Sequence, residues 1–251
     1  MALAHPLVYR APRVGILGSG DEIADIDQPE EILSGRKTAS SNSHTLRALV
    51  RLAGGEPVDL GVARDSPESL REHVDRAADC DLLVTSAGIS VGEHDYVRQV
   101  VAEAGGAIDF WRLRMRPGAP VGFGHLGDMP WIGLPGNPVS TMVTFELFVR
   151  PAIRKMMGHR LCFRRAVPVR IGEPISVAGG LQHFLRAVVT EAGDAREAEL
   201  TGPQGSGILT SMIKANALLI VPEGRPETEA GQELSAILLD DPVHLSAPPF
   251  D

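Results

Sequence analysis

Cysteine is scarce in this chain, basic charge is not in excess, and no long apolar run occurs; each shortage excludes something. Two cysteines among 251 residues, Cys80 and Cys162, cannot build a disulfide framework and point to a reducing, cytoplasmic compartment. The net charge is −8, from 24 basic and 32 acidic side chains, with −4 on each side of residue 160, so the basic footprint that nucleic-acid binding needs is missing. No stretch approaches the ~18 apolar residues of a membrane span. The opening MALAHPLVYRAPR lacks the lysine-led head and apolar core of a secretion signal. Neither a GxSxG elbow nor a Walker A motif occurs, and the eight histidines show no metal-ligand spacing and read mostly as surface residues.

What is present reads as two units. The apolar fraction of 43% and charged fraction of 22% are ordinary for a globular chain. Apolar runs predict strands over 13–17, 58–62 and 81–86. Between them, helical spacing predicts helices over 42–53, stopped by Gly54-Gly55, and from Ser66-Pro67 to about residue 78. A further helix is expected over 96–104, then extended segments at 110–115, 120–124 and 131–134. A long helix follows from Pro138 to about residue 157, with Asn137 as its cap. This rhythm predicts a three-layer α/β/α domain with a mostly parallel sheet over 1–159. Beyond Gly158, short strands at 167–171, 184–190, 198–200 and 218–221, with a turn near 211–215, predict a small β-rich, barrel-like domain over 160–251.

In an open α/β sheet, ligands sit beyond the carboxyl ends of the strands. The loops there are Gly18-Ser19-Gly20-Asp21-Glu22, Arg64-Asp65, a run from Ser86 to Tyr96, and Leu134-Pro135-Gly136-Asn137-Pro138. Three of them offer carboxylates, Glu22 (or Asp21), Asp65 and Asp95 (or Glu93), an oxygen donor set that suits Mg²⁺. The plainer alternative is helix capping and solvated loops. Gly88, Ser90 and Gly92 either turn bare amides toward a phosphate or form a tight turn. Capping explains Asn137-Pro138, but not the Pro135-Gly136 before them. In an extended segment, Arg112, Arg114 and Arg116 project to one face, which asks for an anion or a row of carboxylates. A solvated edge strand is the other reading.

At these loops the sequence resembles the molybdopterin molybdenumtransferases, the MoeA and gephyrin E-domain family, over that family's two C-terminal domains. The resemblance is carried by GSGDEI at 18–23, SSNSHTL at 40–46, VTSAGISVGEHDYV at 84–97, FWRLRMRPGAP at 110–120, IGLPGNPVS at 132–140 and QGSGILTSMIKANALLIVPEG at 204–224. It implies insertion of molybdate into adenylylated molybdopterin with release of AMP and dependence on Mg²⁺. It also implies a homodimer fed by a molybdopterin adenylyltransferase and serving apo-molybdoenzymes. By resemblance, Glu22, Asp65 and Asp95 handle Mg²⁺, and Asp65, Asp95 and Arg116 are catalytic. Arg116, Pro117, Ser140, Arg186 and Ser206 face molybdate, and Arg112 adds positive charge. Ser19, Gly20, Asp21, Ser41, Asn42, Gly88, Ser90, Gly92, Glu93, Gly118, Pro135, Gly136, Asn137 and Pro138 bind the pterin substrate. The family usually has lysine where Arg112 and Arg116 stand, a basic residue at Ala119 and glycine at Ala87. Full-length members carry about two further domains before this region, so a non-catalytic molybdopterin-binding or regulatory module is the alternative reading. A stand-alone adenylyltransferase fits less well, because such proteins resemble the α/β part only.

Overall fold

The computed structural model describes residues 4–87, 100–101, 103, 105–193, 195–240 and 244–250. In chain order the first half holds β1 (Arg13–Ser19), β2 (Ile23–Ala24), α1 (Pro29–Leu33), β3 (Thr38–Ala39), α2 (Ser41–Ala53), β4 (Glu56–Ala63), α3 (Pro67–Asp75), β5 (Leu82–Ser86), β6 (Ala107–Phe110), β7 (Met115–Arg116), β8 (Gly122–Leu126) and β9 (Met129–Leu134). Then come α4 (Pro138–Thr144), a π-helical turn (Phe145–Val149) and α5 (Arg150–Met156). The second half holds β10 (Phe163–Arg164), β11 (Ala166–Ile171), β12 (Ile175–Ser176), β13 (Gln182–Ala192), β14 (Ala195–Leu200), α6 (Leu209–Lys214), β15 (Ala217–Val221), β16 (Glu227–Thr228), β17 (Glu233–Leu238) and β18 (His244–Leu245).

The first sheet runs β4-β1-β5-β9-β8-β6. Its β4/β1, β1/β5 and β5/β9 pairings are parallel, and the last two are antiparallel. Strand alternation splits its side chains between two cores. Val14, Ile16, Leu82, Val84, Ile132 and Leu134 pack under Leu46, Val50 and Ala53 of α2, Phe145 and Val149 of the π turn and Ile153 of α5. Leu17, Leu83 and Trp131 face the other way, against Leu70 of α3, Ala77, Val100 and Val101. The three-layer arrangement is therefore the one that the sequence periodicity predicts. Helix α2 closes where expected, because Gly54 adopts φ +96°, a left-handed conformation open to glycine.

The second sheet closes on itself. β13 pairs with β15 and β14, β14 with β11, β11 with β17, and β17 with β15, giving a five-stranded barrel that leaves no long free edge. Its interior holds Val167, Val169, Ile171, Leu185, Ala187, Val189, Leu219 and Ala236. The alternate residues Phe184, Leu218 and Ile220 point outward, yet they are buried too, because Val139, Val143 and Leu147 of the preceding helix pack on them. That second contact explains why β15 is apolar at every position. β7 then hooks the α/β part onto the barrel, Met115 opposite Gln182 and Arg116 opposite His183.

The long helix expected over 138–157 is three segments. Pro151 has no N–H to donate, and the helix widens into the π turn just before the segment that contains it. Asn137 occupies the cap position without a side-chain cap bond; the Val139 amide is satisfied from the barrel side, by the Ser206 carbonyl at 3.1 Å. Ser66 does cap α3, accepting from the Ser69 amide at 3.2 Å. Glu146 in the π turn bridges Arg150 and Arg164 at 3.7 and 2.7 Å, tying this helix to β10. Among the described residues, no helix is long and apolar enough to cross a membrane.

Candidate functional site

The carboxyl ends of β1, β5 and β9 open onto a cavity of about 470 Å³. Gly18 and Ser19 come from β1, Ser86 and Ala87 from β5, and Pro135, Gly136, Asn137 and Pro138 from the turn after β9. Ser40, Ser41 and Asn42 at the start of α2 form the opposite wall. The walls are cross-linked: Asn42 Nδ2 donates to the Gly136 carbonyl at 2.8 Å, and the Ala87 amide to the Leu134 carbonyl at 3.1 Å. Thr141 Oγ1 donates to the Pro135 carbonyl at 2.6 Å, fixing the proline turn from behind. Ser19, which lines this cavity, has a buried Oγ with no hydrogen-bond partner among the described residues.

Of the residues expected to bind the pterin, this cavity brings together Ser19, Ser41, Asn42, Pro135, Gly136, Asn137 and Pro138, with Glu22 beside them. Gly20 and Asp21 lie elsewhere, on a neighbouring hollow of about 660 Å³ that Asp25, Asp27, Lys37 and Arg64 share. The expected single rim of carboxylates is thus divided. The Asp21 and Asp65 backbone amides each bond the other's carboxylate, at 3.3 and 3.4 Å, so Asp65 is paired with Asp21 and not with Glu22. Gly88, Ser90, Gly92, Glu93 and Asp95, and most of the helix expected over 96–104, lie outside the described residues.

Among the described residues no three of His, Cys, Asp and Glu come together as a metal cage. A Cβ on Gly20 would lie 2.6 Å from Glu22 Oε2, so that glycine cradles the Glu22 carboxylate. One hard oxygen donor beside this cavity fits Mg²⁺, which takes one or two carboxylates and completes its shell with substrate phosphate and water.

A second cavity, of about 490 Å³, lies on the barrel. Arg116 and Pro117 line it from β7, His183, Leu185 and Arg186 from β13, and Gln204 and Gly205 from the loop before α6, with 173–178 as the outer wall. Parallel pairing of β7 with β13 is what carries Arg116 here, opposite His183 and three residues from Arg186. Arg186 is 0% exposed. Its Nε donates to Ser211 Oγ at 3.1 Å and its Nη2 to the Gly205 carbonyl at 3.2 Å, whereas Nη1 has no partner among the described residues. Burial lowers the Arg186 pKa from its ordinary value, since the charged form has lost its water. A dehydrated guanidinium with one idle nitrogen calls for an anion.

The expected row of three arginines is broken. Arg114 pairs with Glu223 and reaches the Gly180 carbonyl at 3.4 Å, so its charge is answered within the barrel. Arg112 is exposed, and only Arg116 of the three lines the cavity. Ser140 and Ser206 line neither cavity; the Ser206 carbonyl instead accepts from the Val139 amide at the start of α4, the helix that carries Ser140. Gly118 is buried between the two cavities' walls at φ +99°, where a Cβ would come within 2.4 Å of Thr144 Cγ2. Residues 116–120 nevertheless join the two cavities, with Pro117 in one and Pro120 in the other. Sequence reasoning missed His183, Gln204, Gly205 and Ser211. The histidines read mostly as surface residues, but His183 is 3% exposed and bonds the Ala178 carbonyl at 2.9 Å; its place within the apolar run of β13 is the available signal.

Two family models match the chain. A family model described as a probable molybdopterin binding domain matches residues 15–155, and one described as the MoeA C-terminal region (domain IV) matches 168–239. A molybdopterin molybdenumtransferase of Nostoc sp. is 34% identical over 238 residues, covering 92% of this chain and 54% of that protein. The Haemophilus influenzae protein of that name is 31% identical, covering 94% and 58%. The crystal structure of a molybdopterin biosynthesis MoeA protein from Pyrococcus horikoshii superposes with a TM-score of 0.72 at 28% identity, covering 91% of this chain and 53% of that one. The chain thus spans little more than half the length of the relatives it matches. With a first family model covering more than half of it and a second covering the barrel, the chain belongs to the molybdopterin-binding domain family in its MoeA form.

Proposed function

We propose that the chain carries the substrate sites of a molybdopterin molybdenumtransferase, inserting molybdate into adenylylated molybdopterin with release of AMP. The observation that carries this reading is the wholly buried Arg186 with its unpartnered Nη1 in a cavity that Arg116 also lines. Such a site suits a small tetrahedral dianion, because the buried Arg186 guanidinium and the exposed Arg116 guanidinium at the same cavity together neutralise its charge. The first cavity supplies what the larger substrate needs. Ser19 Oγ is idle there, Asn42 and Gly136 are locked to one another, and Pro135 and Pro138 hold the turn rigid. The short 116–120 link sets the two substrates beside each other, so the chain's contribution is orientation and charge neutralisation.

Glu22, with Asp95, would hold Mg²⁺, which when bound neutralises phosphate charge as AMP leaves. The proposal places the boundary between the two units near residue 160. It extends to a cytoplasmic homodimer that receives adenylylated pterin from an adenylyltransferase and passes product to apo-molybdoenzymes. Incubation with adenylylated molybdopterin, molybdate and Mg²⁺ is expected to release AMP and to reconstitute an apo-molybdoenzyme. Pterin binding with no AMP above background contradicts the transferase reading and leaves a binding module. In the same assay Glu22→Gln is expected to raise the Mg²⁺ concentration needed for half-maximal rate about tenfold, as loss of one charge-assisted contact implies; an unchanged Mg²⁺ dependence removes Glu22 from the site.

A further inference from the structure

Both anchored nitrogens of Arg186 are held by groups that are themselves fixed. Ser211 Oγ accepts from Arg186 Nε at 3.1 Å and spends its own proton on the Ile208 carbonyl at 2.7 Å, so its lone pairs are directed at the arginine. Ser211 and its neighbour Met212 are buried, and Met212 packs in the interface with Phe184 and Leu218. Gln204 grips the same residue by its backbone: Oε1 accepts from the Arg186 amide at 2.8 Å, and Nε2 donates to the Arg186 carbonyl at 3.1 Å and the Gly202 carbonyl at 2.9 Å. A side-chain amide here bonds both backbone groups of Arg186, as a neighbouring strand would. The guanidinium is planar, so fixing Nε and Nη2 leaves the direction of Nη1 no freedom.

We propose that Ser211 is a positioning residue for oxyanion binding: with Gln204 securing the strand, it aims Arg186 so that Nη1 alone meets the anion in the barrel cavity. This inference rests on the oxyanion reading given above. The arrangement places the entropic cost of orienting a long side chain in folding and not in binding. It also sets Ser211 apart from a packing residue, because its hydroxyl acts as an acceptor toward Nε and its size alone does not substitute for that.

The test is calorimetric titration of the full chain with sodium molybdate, for the wild type and for Arg186→Ala, Ser211→Ala and Ser211→Thr. Melting temperature and affinity for adenylylated molybdopterin are measured on each. Ser211→Ala is expected to bind molybdate about five- to tenfold more weakly, the scale of one lost hydrogen bond to a charged group. Ser211→Thr, which keeps the acceptor, is expected to stay within about twofold of wild type. Pterin affinity is expected to be the same in both, and in turnover the loss is expected in KM for molybdate, with kcat unchanged. Should Ser211→Ala not fold, Ser211→Cys keeps the shape with a poorer acceptor and carries the same expectation. Wild-type affinity in Ser211→Ala overturns the inference, as does a Ser211→Thr variant that is as weak as Ser211→Ala. Failure of the oxyanion reading itself looks different: the wild type then binds no molybdate, or Arg186→Ala binds it as well as the wild type does.

Discussion

The two cavities are built in opposite ways. The one on the α/β sheet is a backbone construction: strand ends, a Pro-Gly-Asn-Pro turn and the start of α2 shape it, and the hydroxyls that line it are small. The one on the barrel is a side-chain construction, in which a single strand contributes a buried arginine whose remaining contacts are all spoken for. The first should therefore be sensitive to backbone conformation and tolerant of charge changes in the barrel. The second should depend on a few atoms.

The largest effect expected from this contrast is on the barrel side. Arg186→Ala is expected to lower molybdate affinity about a hundredfold or more, because it removes a buried charged donor, while affinity for adenylylated molybdopterin stays at the wild-type level. Parallel loss of both ligands would erase the distinction between the cavities. The next effect belongs to the link between them. Gly118→Ala puts a Cβ at φ +99°, 2.4 Å from Thr144 Cγ2, and is expected to destabilise the fold by about 2–4 kcal/mol. Chemical denaturation measures this, and a change below 1 kcal/mol on the same scale would show that the link yields.

Smaller is the effect on the wall of the α/β cavity. Ala87 holds φ +71°, a left-handed conformation that costs an L-residue about 1 kcal/mol and glycine little. Ala87→Gly is expected to leave stability the same or raise it by up to about 1 kcal/mol, with the gain limited by the freer unfolded chain. A clear loss of stability would mean that the methyl group packs usefully against the turn at Gly136.

The smallest effect lies at the base of the sheet. The Arg10 guanidinium, and then the Arg13 amide at 2.7 Å, hold the Asp81 carboxyl below its ordinary range. A carboxylate whose folded pKa is depressed adds stability above its unfolded pKa, near 4, and that stability is lost as pH falls through the folded value. Asp81→Asn is therefore expected to flatten the acid limb of the stability curve below about pH 4, and to leave both ligand affinities alone. An unaltered acid limb would show that the exposed Arg10 contributes nothing.

What could be read from the sequence divides along the same line. The buried strands β1 and β5 and helices α2 and α3 were legible, because apolar spacing and Gly or Pro stops record local geometry directly. The break in the helix over 138–157 was legible in principle at Pro151, but the apolar spacing on either side of it masks the interruption. The ligand sites were legible only as loops. Asp21 and Glu22 are adjacent in sequence, yet the structure turns one toward each of two hollows, a difference that no spacing rule contains. The arginine row asks for an anion or carboxylates, and spacing does not say which; Arg114 meets a carboxylate, that of Glu223, 109 residues away. Arg186 sat in a recognisable strand, but its complete burial follows from α6 and the 204–205 loop folding over it, which is a tertiary event.

Anomalous diffraction at the molybdenum edge, from crystals of this chain grown with molybdate, tests the central claim most directly. The account predicts a molybdenum peak in the barrel cavity, its oxyanion bonded to Arg186 Nη1 with Arg116 beside it. A peak seated at another arginine, or no peak in that cavity at saturating molybdate, would contradict it.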